Sequence, residues 1–576
     1  MPDKKSAVIH SSPVTDHNSA DEPTPRTVGG KGGAELAGVL FTASLLAVLL
    51  TFPFAAQMAH VGRIDNFDGD FGIWNVSWVA RTLVVDPAHV FDANIFHPHQ
   101  RTLLYSETNL GAGLLAIPAY WATRNPYFTF NFVLILSMVL SFAGGYYLVR
   151  YLVRDRRAAA VSAIAFGFCP YVFAKTPQMQ LLMTAGLPFS MLAFHRMADR
   201  PTAGRAVALG LVMAAQVAFC GYYAVFTMLM VGFATLVLTL TRGLWTNAQY
   251  WKAIGLAATV GFVAALPVIA PYIQLQQSTG FSRTLDDASR YSADWRAYLT
   301  SSALAHRWML KLLGHWKDVL FPGFVATLGG AAGLVIGLRK RDRTASSLDL
   351  REIAILYGAL GAIACWASFG PNAGLYAVLY RVVPPFTLMR APSRFGIVVT
   401  LALAVLAGIA VRELLTRTAH PSLVGLALAL ITAAELAFPL RFREVPPLSP
   451  AYKMLATLPV GPVIELPFWS TNKERFGHSL YMMNSTAHWM PLINGYSDYV
   501  PLDAVDAAPT LKLFPSREAF RLLAGQRARY AVFHMGLFGD KDRAAVTAGI
   551  SEFSPFLKPL YTSGDTVLYE IVGFPE

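Results

Sequence analysis

The chain has 576 residues, of which 54% are hydrophobic, 12% aromatic and only 14% charged. A soluble globular protein carries about 25% charged residues, so an ordinary cytosolic enzyme is excluded, and the same hydrophobicity excludes disorder for most of the chain. Lys and Arg number 47 against 35 Asp and Glu, a net charge of +12; in so apolar a chain this excess marks membrane topology and contact with anionic membrane lipid, with no nucleic-acid partner.

Residues 1–35 are polar and rich in Ser, Pro, Asp and Lys, the composition of a disordered cytoplasmic tail. The apolar run 36–58, about 23 residues, is long enough to span a bilayer. Uncharged runs follow at about 126–149, 158–174, 176–194, 206–241, 253–275, 319–338, 353–370, 395–411 and 421–438. The run 206–241 is about twice a span and breaks at Cys220-Gly221-Tyr222, which makes about eleven spans. The piece 110–121 is too short and carries Pro118, so it reads as a re-entrant or interfacial helix. Cys169, Cys220 and Cys365 all lie in apolar runs, which argues against disulfides or a cysteine metal site.

The basic short loops test this count. Arg150, Arg154, Arg156 and Arg157 follow the second span, Arg196, Arg200 and Arg205 the fourth, and Arg242 and Lys252 the sixth. Arg339, Lys340, Arg341, Arg343 and Arg351 follow the eighth, and Arg412 and Arg417 the tenth. Eleven spans with a cytoplasmic N-terminus put all of them inside, as the positive-inside rule requires. The outer side then owns the loops 59–125 and 276–318 and everything from 441 to 576. In that last part charges and prolines return, and short apolar strands at 463–466, 530–533 and 567–572 alternate with helical stretches near 516–527 and 541–549. The predicted fold is mainly α: a polytopic transmembrane helix bundle over 36–440 with a C-terminal extracytoplasmic α/β domain.

The first outer loop carries the densest chemistry. Asp65, Asp68 and Asp70 lie within six residues. Carboxylates at membrane depth are costly unless they face a cavity, a partner or a reaction centre. Apolar neighbours raise a carboxylate's proton affinity, which suits a general base; a solvated acidic patch or a helix cap is the plainer reading. Trp74 and Trp78, one helical turn apart, suit a helix lying at headgroup level.

At this point the sequence resembles the polytopic bacterial glycosyltransferases of the GT-C superfamily. The likeness rests on the Asp after the first span, the Trp-rich helix and the turn Phe96-His97-Pro98. Later stretches add Cys169-Pro170-Tyr171, Phe321-Pro322-Gly323, the stretch 384–395 from Pro384 to Phe395, and Asn494-Gly495-Tyr496-Ser497. What the resemblance implies is transfer of a sugar from a polyprenyl-phosphate carrier to a glycan, lipid or protein acceptor on the outer face of a bacterial cytoplasmic membrane. By the same carry-over Asp70 is the first candidate for the base and Asp68 the second. Related enzymes sometimes hold a divalent cation through an Asp-x-Asp pair; no further ligands accompany this one, so neither a metal nor another cofactor is expected.

A leaving phosphate needs cations. Arg390 and Arg394 flank Ala391-Pro392-Ser393 at the outer start of the tenth span, and Arg283 and Arg290 lie in the second outer loop with Arg296 among aromatics and aspartates. Lys175, between the third and fourth spans, completes the candidates for the donor phosphate. Snorkelling at the interface and pairing on a surface helix are the alternatives for the arginines. Trp74, His97 and Glu107 on the first loop are candidates for contact with the acceptor. His97 and His99 bracket Pro98 with no third ligand nearby, as His306 and His315 also stand, so a structural role competes for each. Glu435 is expected to pair with a neighbour. No nucleophile elbow, P-loop or dinucleotide fingerprint is present, which fits a donor delivered on a lipid. The other readings are an O-antigen-type glycan polymerase or ligase, a lipid-linked-sugar transporter and an envelope scaffold.

Overall fold

A computed structural model describes residues 29–64, 66–314, 319–339, 349–471 and 473–576. The tail prediction for 1–28 and the readings of Asp65, His315, Lys340, Arg341 and Arg343 lie outside these residues. Among the described residues seven helices are long and apolar enough to cross a membrane: Gly32–Leu50, Pro126–Val153, Arg156–Ala174, Gly221–Arg242, Ala248–Thr279, Leu350–Ser368 and Pro392–Thr416. Shorter apolar helices are Leu110–Thr123, Ala203–Phe219, Phe324–Arg339 and Pro421–Glu435. The protein is a multi-pass membrane protein with a helical bundle at its centre.

Burial sorts the helices into layers. Pro392–Thr416 and Arg156–Ala174 are 89% and 83% buried, whereas Gly32–Leu50 and Ala248–Thr279 are 17% buried and turn residues such as Phe41 and Phe262 outward. The first two form the core, and the other two form the apolar rim that a bilayer would cover. Small residues bring the inner helices close: a Cβ on Gly333 would stand 1.8 Å from the Leu406 carbonyl oxygen, so the Phe324–Arg339 and Gly396–Thr416 backbones touch.

Two predicted spans differ in detail, and a third behaves as predicted. The first helix runs from Gly29 to Leu50, taking in residues 29–35 and stopping before Pro53. The run 206–241 breaks at Cys220, whose extended backbone (φ −166°) separates Ala203–Phe219 from Gly221–Arg242, as expected. The run 176–194 is not one span. It forms Met179–Leu182 and Gly186–Asp199, separated by the non-helical residues 183–185; Pro188, in the first turn of the second helix, has no N–H to give back to Thr184.

One end of the bundle gathers the basic loops. There Arg242 pairs with Asp199 (3.0 Å) and Glu352 (2.8 Å), Arg156 pairs with Glu35 (2.8 Å), and Arg157 reaches Ser422. The opposite end carries the two long loops and the C-terminal segment. In that segment β3 (Val463–Leu466), β4 (Tyr530–His534), β5 (Leu557–Tyr561) and β6 (Thr566–Ile571) form one sheet of order β3-β4-β6-β5, with β3 and β4 parallel and the rest antiparallel. The β5 edge strand, interrupted by Pro559, was not predicted, since proline hides the alternation of a strand.

The first loop and this sheet form one body. β1 (Val61–Gly62) pairs with β2 (Arg443–Glu444). Phe96 and His97 donate their N–H groups to the carbonyls of Asn494 (3.1 Å) and Leu492 (2.8 Å), and Ile493 in turn donates to Val463 of β3 (2.9 Å). Residues separated by some 400 positions in the chain are thereby locked across the end of the bundle opposite the basic loops.

Candidate active site at the end opposite the basic loops

The acidic wall begins where the Phe67–Val85 helix starts. Asn66 caps it, its Oδ1 accepting from the Gly69 N–H (3.0 Å), and Asp68 and Asp70 fall in the first turn, where the helix dipole favours negative charge. A Cβ on Gly69 would sit 1.6 Å from the Arg63 carbonyl oxygen, so only glycine lets the preceding loop fold back over this turn. The broken fourth run supplies the facing wall: Gln178 Nε2 donates to Asp68 Oδ2 (2.8 Å), and the Arg63 guanidinium donates to Thr176 Oγ1. Asp70 is buried, and Asp68 is half-buried.

The cationic wall is assembled from five parts of the chain. Arg390 and Arg394 sit just ahead of the Gly396–Thr416 helix. The Arg390 N–H donates to the Tyr222 hydroxyl (2.9 Å), while the Arg394 guanidinium lies over the Tyr222 ring at 4.0 Å. Arg283 and Arg390 both pair with Asp498 Oδ1, at 2.9 and 3.2 Å, and the Ser106 hydroxyl donates to its other oxygen at 3.0 Å. Glu107 accepts from the Gly221 N–H (2.8 Å) at the start of the Gly221–Arg242 helix. Burial raises the Glu107 carboxyl above its usual range, outweighing the opposing pull of that N–H and of Arg394.

Tyr496 joins the two walls. Its ring packs against Phe71 of the acid-bearing helix (5.8 Å between centroids), and its phenol lies within electrostatic range of Asp68, Asp498 and Arg390. Burial raises that phenol's pKa, so Tyr496 stays a neutral hydroxyl between carboxylates and arginines. One site thus has carboxylates on one side, guanidinium groups on the other and a roof contributed by residues 496–498.

Not every predicted residue lies in it. Asp68, Glu107, Arg283, Arg390 and Arg394 do, while Asp70, two residues on in the same first turn, lies within electrostatic range of the Tyr127 phenol. Arg290 is exposed beside Asp287 on its own short helix. Lys175 stands at a neighbouring cavity, its Nζ 5.9 Å from the centre of the Tyr171 ring. Trp74 and Trp78 are not headgroup-level rings: they are 1% and 7% exposed and donate to Asn94 Oδ1 (3.0 Å) and the Val90 carbonyl (2.9 Å), because the loop and sheet cover the face of their helix. His97 is half-buried at the loop–sheet seam, where burial lowers its pKa, and His99 pairs with Asp503. Glu435 does pair, with His306 (3.0 Å), and caps Val325. Ser106, Tyr222 and Asp498 escaped the sequence reading. Tyr222 was noted only as part of a turn, and Asp498 adjoins the 494–497 motif without belonging to it.

No family model and no curated protein matches this chain. Among solved structures it is similar to the cryo-EM structure of the arabinofuranosyltransferase AftD from Mycobacteria, with a TM-score of 0.57 and 15% identity over 94% of this chain. The chain spans 40% of the length of AftD. ArnT from Cupriavidus metallidurans aligns over 95% of this chain and all of its own at 13% identity, but with a TM-score of 0.39 that likeness carries no weight for the fold. The likeness shows the fold alone: a membrane helix bundle bearing a C-terminal sheet, the architecture expected from the sequence and shared with AftD over 94% of this chain.

Proposed function

We propose that the protein is an integral-membrane glycosyltransferase that moves a sugar from a polyprenyl-phosphate carrier to an acceptor hydroxyl at the outer face of a bacterial cytoplasmic membrane. The observation that supports this reading is the meeting of the first-turn carboxylate Asp68, with Asp70 two residues on, and an arginine cluster around Tyr496. In the transfer, Asp70 takes the proton of the acceptor hydroxyl and the freed oxygen attacks the anomeric carbon. The bond from that carbon to the phosphate oxygen breaks, and its electron pair leaves with the polyprenyl phosphate. Arg390 and Arg394, with Arg283 behind them, stabilise the charge that develops there. Asp68, tied to Gln178, positions the turn that bears Asp70. The outward orientation is supported by the basic loops gathered at the end of the bundle remote from this site. AftD is by name an arabinofuranosyltransferase, which makes a pentofuranose the first sugar class to test and a hexose the second.

The test compares a deletion strain carrying wild-type or Asp70→Asn protein at matched membrane expression, with lipid-linked sugars and surface glycans profiled by mass spectrometry. The variant is expected to lose activity by about 10²–10⁴-fold, as for removal of a general base, and to accumulate a polyprenyl-phosphate sugar. If it behaves like wild type while the deletion has a phenotype, the base assignment falls and the polymerase, ligase or transporter readings replace it.

A further inference from the structure

Phe67, Phe71 and Trp74 follow one face of the acid-bearing helix, at positions i, i+4 and i+7. Burial falls along this row: Trp74 is 1% exposed, Phe71 is half-buried and Phe67 is 49% exposed. Phe476, from the C-terminal segment and 38% exposed, stacks on Phe67 with ring centroids 5.7 Å apart and planes at 21°. The Phe476 ring also meets Tyr496, at 5.1 Å. Phe67, Phe476 and Tyr496 thus make one aromatic surface, running from the open side to the ring that stands between the two walls.

Stacked phenyl rings left this open, beside a polar rim, mark a surface that something covers. Bilayer lipid does not fit. Thr471, Lys473 and Glu474, within the five residues before Phe476, are all exposed, and charged side chains avoid the hydrocarbon. The edge of the surface nearest the site is polar as well. Asp68 adjoins Phe67, Gln178 donates to Asp68 (2.8 Å), and the Tyr496 phenol lies within electrostatic range of the same carboxylate. An apolar floor with hydrogen-bonding groups along one edge matches a sugar ring, which has a face of C–H groups and a rim of hydroxyls. The electron-rich face of an aromatic ring attracts such C–H groups, and the polar edge takes the hydroxyls. An acyl chain would leave that edge without partners.

We infer that Phe67 and Phe476 form a platform on which a sugar ring of the acceptor lies, so that the acceptor is a glycan. The inference rests on the transferase reading for the word acceptor, and adds to it the acceptor's chemical class and the surface that holds it. The platform belongs to the acid-bearing wall, whereas Arg390 and Arg394 stand on the other. Acceptor and donor phosphate therefore approach from opposite sides, as an attacking hydroxyl and a leaving phosphate must.

The probe is the pool of oligosaccharides released from the envelope of the deletion strain, which lack the residue that the protein adds. Their binding to the full-length protein in nanodiscs, with no donor present, is followed by saturation-transfer NMR. Wild type is expected to bind saturably. Phe67→Leu and Phe476→Leu keep apolar bulk but lose the ring face, and each is expected to bind about tenfold more weakly. Both positions are exposed, so the melting temperature is expected to stay nearly unchanged. Phe476→Trp, which restores an aromatic face, is expected to bind at least as well as wild type, a rescue that a merely structural role does not predict. Wild type that binds no oligosaccharide overturns the inference, as do leucine variants that bind like wild type. Quenching of the new tryptophan in Phe476→Trp by brominated lipid also overturns it, since the ring would then lie in the bilayer. Because binding is read without donor, oligosaccharide binding that depends on both rings in a protein that transfers no sugar counts against the proposed function alone.

Discussion

Asp498, on the roof over the site, holds Arg283 at 2.9 Å and Arg390 at 3.2 Å through a single carboxylate oxygen. The three residues come from the second long loop, the approach to a buried helix and the C-terminal domain. A carboxylate thus keeps two guanidinium groups converged where the proposed reaction needs positive charge.

Replacing that carboxylate tests its role. Asp498 is about a third exposed, so its ion pairs are worth little to folding, less than about 1 kcal/mol. Asp498→Asn is expected to leave the melting temperature nearly unchanged and to lower the transfer rate by about tenfold, because the two arginines repel once their shared partner is neutral. Thermal melting beside a transfer assay checks both halves; a large drop in melting temperature with normal transfer contradicts the assignment.

Glu107 gives a pH dependence. Its carboxyl is raised by burial, so the folded protein favours the protonated form more than the unfolded chain does. The stabilisation is fully present below the unfolded value and is lost as pH rises through the folded one. Wild type is therefore expected to lose stability as pH rises from 4.5, the ordinary value of the carboxyl, through the neutral range, relative to Glu107→Gln, which keeps an oxygen for the Gly221 N–H. Melting curves of both proteins across that range decide it, and parallel curves refute it.

The C-terminal domain responds to acid in the opposite sense. His478 is buried, donates from Nε2 to the Trp469 carbonyl (3.0 Å) and accepts at Nδ1 from Asn494 (3.1 Å), an arrangement that holds it neutral. Burial pushes its pKa down to about 4, and that of His488 to about 3. Folded values below the unfolded one mean that stability is present above about pH 6.5 and falls as pH drops through it toward 4. Hydrogen exchange over residues 460–500 is expected to accelerate below about pH 6, and less so in His478→Asn. Equal acceleration in the two proteins would falsify this origin.

Much of the architecture was legible in the chain. Bilayer thickness sets how long an apolar run must be, and the charge of short loops sets which ends share a side. The break at Cys220-Gly221-Tyr222, the short helix carrying Pro118 and the strands containing Ile464, Val532 and Leu568 are local patterns of this kind, and each appears in the structure. The split of the fourth run ahead of Pro188 was also written in the sequence, but the average hydropathy of the run concealed it.

The site is another matter. Periodicity and composition pointed to Asp68, Asp70, Arg390 and Arg394 as individually costly residues, since charge near a membrane must be accounted for locally. Which of them face each other is a question of distance across hundreds of residues, and no local pattern encodes it. Asp498 meeting Arg283, Tyr496 bridging Asp68 and Arg390, and Arg307 joining Lys175 at a second cavity arise only when packed helices bring separate loops to one end of the bundle. Chain-local energetics determined the spans and the suspects; long-range packing decided the partners.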